Sequence, residues 1–209
     1  GNNHRVLVWS DLPTSNAAPD AVIGQVDFTG SHSGEADDRL KWPVDVAAGG
    51  GKYAIADTYN HRVLIYDQMP PVGPPSLILD GGEHGTEPNP DPGADRFAWP
   101  WGVWPDGETL IVSSTSASSN GGDIRFGGWV LIWTTFPTSA DQPADIVLSA
   151  NGKMGTPRSI TTDGETFLMI GDHNAEGQPM PKGAWFWSEF PSANEVEPNG
   201  FWLEDNALG

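Results

Sequence analysis

The chain of 209 residues contains no cysteine. That excludes disulfides and thiolate metal sites, and it leaves the compartment open. Basic residues are scarce: ten Lys and Arg stand against 28 Asp and Glu, a net charge of −18. So negative a surface repels phosphate backbones, so no nucleic-acid partner is expected. It attracts cations and basic partners, or it serves solubility alone. No apolar run approaches the roughly 20 residues that span a bilayer. Residues 1–11 (GNNHRVLVWSD) lack the apolar core of a signal peptide. No membrane association is therefore expected, and no segment names a compartment.

Glycine (26) and proline (19) are abundant instead, which argues against long helices. The apolar material includes 10 Trp and 8 Phe, enough for a sizeable core. It falls in short β-branched and aromatic runs between turn residues, the pattern of many short strands.

These runs repeat. Residues 60–70 (NHRVLIYDQMP) echo residues 3–13 (NHRVLVWSDLP). An aromatic–x–x–apolar–Pro ending occurs four times, at residues 9–13, 66–70, 133–137 and 187–191. Each follows a strand-like run, and each precedes another after a turn-rich gap. A second set of runs begins at Pro43, Pro100 and Pro157, at intervals of 57. A third follows at residues 53–57, 110–114 and 167–171. Gly- and Asp-rich turns join the two sets, and Asp-Gly is a strong hairpin signal. Each unit therefore reads as four strands, a to d. A lone four-stranded sheet cannot bury both faces, whereas sheets stacked around an axis can, so the expected fold is an all-β propeller of four-stranded antiparallel blades.

The segment 54–70 (AIADTYNHRVLIYDQMP) resembles the NHL repeat, with Arg in place of the Leu of Asn-His-Leu at both Arg5 and Arg62. Residues 19–30 (PDAVIGQVDFTG) look like the connector between repeats in bacterial NHL proteins. The resemblance is strong in the first two units and weaker in the last two, where the Asn-His pair is lost. It implies a propeller, most often of six blades. One partial propeller domain is expected over residues 1–209, with a half unit at 1–25 and whole units at 42–80, 99–149 and 156–204. About three and a half blades leave bare sheet faces, which promote association. Self-association is therefore an expectation, including a homodimer that completes the ring.

Alternating strand direction puts the b–c and d–a connections on one rim. The b–c loops are expected at about 58–60, 115–127 and 172–183, and the d–a loops at 26–41, 81–98 and 150–155. His4, His32, His61, His84 and His173 fall in or beside them, as do Glu35, Asp37, Asp38 and Asp123. Loops held by a rigid scaffold carry binding residues. The candidate ligand-binding residues are His84, Asp172, His173, Trp101, Trp104, Asp57 and His61. For His4 and His61 a structural role at the turn is weighed against ligation, and Asp57 would accept backbone N–H bonds there. Trp9, Trp133 and Trp187 are expected in packing between blades. Trp101 and Trp104 would stack on a ligand or plug the axis.

His84 sits in an acidic loop, and Asp172-His173-Asn174 is the corresponding group in the next unit. Oxygen-rich loops suit Ca²⁺ and histidine suits Zn²⁺. The spacing matches no known metal loop, so no cofactor is expected. The resemblance implies a noncatalytic scaffold that presents an acidic rim to a protein, peptide or carbohydrate. Its alternative is a metal-dependent propeller enzyme, a lyase or lactonase-like hydrolase, with a site assembled over the axis.

Overall fold

A computed structural model describes residues 1–80, 98–120, 123–175 and 182–203. The described chain is all-β. Strands β1 (Val6–Val8) and β2 (Ala21–Ile23) form a two-stranded antiparallel sheet. Three four-stranded antiparallel sheets follow, each with its strands in chain order. The first holds β3 (Pro43–Gly49), β4 (Lys52–Asp57), β5 (Arg62–Tyr66) and β6 (Leu77–Leu79). The second holds β7 (Trp99–Pro105), β8 (Leu110–Asn120), β9 (Asp123–Trp133) and β10 (Ile146–Leu148). The third holds β11 (Pro157–Thr162), β12 (Leu168–Asp172), β13 (Gly183–Trp187) and β14 (Gly200–Leu203).

The inner strands β3, β7 and β11 pack side by side, while the outer strands β6, β10 and β14 make no comparable contact with one another. The sheets therefore fan out from a shared inner edge, as propeller blades do. Period-2 alternation gives each middle strand two buried faces. Ala54, Ala56, Val63 and Ile65 face the second sheet and meet Val103, Leu110, Val112, Leu131 and Trp133. Ile55, Leu64 and Tyr66, on the opposite face, pack with Ile23, Val6 and Val8 of the first two strands. Ile111, Val130 and Ile132 turn the other way, onto Leu168, Ile170, Trp185 and Trp187 of the third sheet.

The inner strands share one irregularity. The register shifts between Pro43 and Asp45, between Pro100 and Gly102, and between Pro157 and Ser159. Each bulge leaves one residue out of the ladder: Val44, Trp101 and Arg158. Close approach at the inner edge also explains two glycines. A Cβ on Gly102 would lie 2.0 Å from the Arg158 carbonyl oxygen, and one on Gly50 would lie 1.7 Å from that of Asp106.

Of the expected loop at 115–127, residues 115–120 and 123–127 are instead strand. β8 and β9 stay paired from Leu110↔Trp133 to Asn120↔Asp123, five pairs beyond the last partner of β7. Residues 113–120 (SSTSASSN) have no apolar alternation to announce a strand; the backbone ladder with β9 runs through them. Among the described residues no helix is long and apolar enough to cross a membrane.

Candidate functional site

The end of strand β4 explains the recurrent polar residues of the rim. Asp57 is fully buried. Its Oδ1 accepts the Lys41 N–H at 2.7 Å, and its Oδ2 accepts from Asn60 Nδ2 at 2.7 Å and Arg62 Nε at 2.9 Å. Burial pushes its carboxyl above the ordinary range, against the pull of those donors. Arg62, only 1% exposed, spreads its remaining N–H groups over three carbonyls: Glu35 at 3.0 Å, Ala36 at 2.9 Å and Arg39 at 2.9 Å. The connector is thereby fastened to the sheet, and its acids are left on the outside. The side chains of Asp38 and Asp37 are 81% and 59% exposed.

A 3₁₀ turn at Thr58–Asn60 leads to His61, which adopts the left-handed region at φ 55°. His61 is buried; its Nδ1–H donates to the Ala98 carbonyl, and its ring tilts against Trp99. His4 repeats the arrangement one unit earlier, at φ 48°. There Nδ1 accepts the Trp42 N–H at 2.9 Å, so the two rings differ in tautomer. Both histidines tie one sheet to the entry of the next.

Asp172 takes the place in the third sheet that Asp57 has in the first. Each pairs with the proline that opens the inner strand, Pro157 or Pro43. Asp172 is 4% exposed and accepts from Gly155 N, Thr156 N, Asn174 N and Trp185 Nε1 at 2.7–3.2 Å. Ser114 holds the corresponding place in the second sheet, accepting the Ala98 N–H at 3.3 Å. His173 donates its backbone N–H to Thr156.

Trp101 and Trp104 are not brought together. Trp101 leaves the ladder at the bulge, and the Arg158 guanidinium lies 4.6 Å from its ring centroid. Trp104 packs into the core between the second and third sheets, where its ring fills the space beside Gly164. His84 and its acidic neighbours lie outside the described residues. Among the described residues, no three His, Cys, Asp or Glu side chains gather as metal ligands.

Trp133 and Trp187 are buried between sheets as expected, whereas Trp9, at the edge of the two-stranded sheet, is 38% exposed and joins no core cluster; all three share another task. Each indole N–H donates into its own c–d turn, to Ala17, Gln142 and Val196, at 3.1, 3.0 and 2.8 Å. The residue after each aromatic donates to Asp20, Asp145 or Asn199 at the foot of the outer strand. That second repeat escaped the sequence reading because the spacing within the turns varies by a residue.

Two cavities flank this framework. One, of about 460 Å³, lies between β2 and the first four-stranded sheet. Gln25, Asp37, Asp38, Tyr66, Pro71 and Pro74 line it. Burial pushes the Tyr66 hydroxyl up to about 12, so it stays protonated. The other, of about 340 Å³, lies at the upper end of the third sheet and includes Asp172 and His173.

Residues 40–66 match the family model described as the NHL repeat. No curated protein matches the chain. The match spans the inner strand β3, β4 with its fastening carboxylate, the Asn-His-Arg turn and β5. Residues 40–66 thus carry an NHL repeat, and the radially stacked four-stranded sheets are those of a β-propeller.

Proposed function

We propose that the protein is a noncatalytic interaction scaffold whose acidic rim receives basic side chains of a protein or peptide partner. One observation carries this reading: a buried arginine fixes an acidic connector whose carboxylates line a cavity together with apolar side chains. Asp37 and Asp38 supply the charge; Tyr66, Pro71 and Pro74 supply the walls. A Lys or Arg side chain has the matching form, an apolar stem beneath a cationic head. The net charge of −18 adds long-range steering of such a partner.

The test is a fluorescence-anisotropy titration with a labelled Lys/Arg-rich peptide, beside an acidic peptide and a neutral oligosaccharide. The basic peptide is expected to bind, more weakly at higher salt. The double variant Asp37→Asn/Asp38→Asn should weaken binding about tenfold or more, in line with loss of charge-assisted contacts. It removes only two of 28 acids, so diffuse attraction to the whole surface would change little. Unaltered binding by the variant, or binding of the oligosaccharide alone, contradicts the proposal. The alternative is a metal-dependent propeller enzyme, a lyase or lactonase-like hydrolase, with its site assembled over the ring axis. Stoichiometric Zn²⁺ or Ca²⁺ in the purified protein is the observation that would favour it.

A further inference from the structure

The cavity at the upper end of the third sheet has the opposite chemistry. Arg158, Ser159, Gly171, Asp172, His173 and Lys182 line it, and it shares no residue with the acidic cavity. Two of the ten Lys and Arg of the chain meet here. Arg39, Lys41, Lys52 and Arg62 each have a carboxylate within 4 Å; among the described residues Arg158 and Lys182 have none. Asp172, the carboxylate in the wall, is committed to four donors of its own sheet and its entry, so it offers little to either cation.

Arg158 is held in advance. It is the residue that the β11 bulge turns out of the ladder. Its carbonyl accepts from Ser113 Oγ at 3.1 Å, and the same Ser113 Oγ accepts the Gly102 N–H at 2.9 Å. Its guanidinium lies over Trp101 at 4.6 Å. An arginine stacked by one face keeps its edge donors available, and a fork fixed beforehand loses less entropy on binding.

We propose that this cavity is an anion site that takes the carboxylate of a small ligand, with Arg158 as the bidentate donor and Lys182 as the second charge. The Ser159 hydroxyl adds a neutral donor in the wall. A carboxylate fits better than phosphate for an electrostatic reason. It brings one negative charge past Asp172 and the field of a −18 chain, whereas phosphate brings more. The site stands independently of the basic-partner reading, because it lies on another sheet and selects the opposite charge.

The experiment is a ¹H–¹⁵N titration of the whole chain with sodium acetate, sodium phosphate and sodium chloride at constant ionic strength. The reporter is the Trp101 indole N–H, which has no acceptor among the described residues. Acetate is expected to shift it saturably, with phosphate weaker and chloride without effect. Arg158→Gln and Lys182→Gln should each weaken acetate about tenfold, and Arg158→Lys, which keeps the charge but loses the fork, should also weaken it. Both positions are exposed, so unchanged thermal unfolding shows that the variants are folded. If one of the two Gln variants fails to fold, the other carries the test. No shift with acetate beyond that with chloride overturns the proposal. So does equal acetate affinity in the folded Gln variants, or phosphate binding as tight as acetate.

Discussion

Arg5 and Arg62 stand where the NHL triplet has leucine, and the hydrogen bonds give the reason. Arg5 donates to the carbonyls of Phe28 and Gly30, as Arg62 does to those of Glu35, Ala36 and Arg39. Each fastens a connector that a leucine could not hold. Breaking a buried ion pair by removing one partner strands the other charge. Arg62→Met is therefore expected to destabilise the fold by about 3–5 kcal/mol in urea unfolding; a loss near zero would show that the connector needs no fastening. Asp45 offers a test of opposite sign. Its Oδ2 accepts the Val103 N–H across to the next sheet at 3.0 Å, and burial holds its carboxyl above the ordinary range, against the pull of the Val103 and Val46 bonds. A raised carboxyl contributes stability at low pH that is lost as pH rises through its folded pKa. Asp45→Asn keeps an acceptor oxygen without the charge. Its melting temperature relative to the native chain should therefore be more favourable at pH 7 than at pH 4, and the reverse trend would contradict the assignment.

Among elements, the inner strands do most of the joining. Thr58 Oγ1 donates to Pro100 O at 2.7 Å, Asp45 accepts from Val103, and Ser113 donates to Arg158 O, so each sheet grips the inner strand of the next. Gly102→Ala would drive a methyl into the Arg158 carbonyl. A loss of about 1–3 kcal/mol is expected in denaturant unfolding, as for other overpacked contacts. Gly200→Ala, with nothing within 4 Å of the added carbon, is the control and should stay within about 0.5 kcal/mol. The four-strand unit was legible in the sequence because prolines at 43, 100 and 157 and the apolar runs after them recur with packing constraints that recur. The β8–β9 extension was not, since Ser- and Gly-rich strands lack the side-chain alternation that marks a buried face. The cavities were legible only in part. Asp37, Asp38, Asp172 and His173 could be placed on the rim by strand counting. Their partners Tyr66, Pro71 and Arg158 come from other segments, and sequence order cannot show that they meet.

For the whole molecule, the sheets differ in how their faces are covered. The first and second four-stranded sheets are packed on both sides. The far face of the third carries Phe186 and Trp202, stacked at 5.4 Å, and Trp202 remains 58% exposed. Exposed aromatic surface of this kind favours association, and self-association is expected to use it. Light scattering should report a species larger than one chain, reduced to one chain by Trp202→Glu; a chain that is monomeric at high concentration before the substitution would contradict this. The central claim is that the rim cavity between β2 and the first four-stranded sheet receives basic side chains. Amide shift mapping with an unlabelled Lys/Arg-rich peptide tests it most directly. The account predicts that the largest saturable shifts fall on Gly24, Gln25, Asp37, Asp38 and Gly73, which line that cavity. Shifts centred on another part of the surface, with these five amides unmoved, would contradict it.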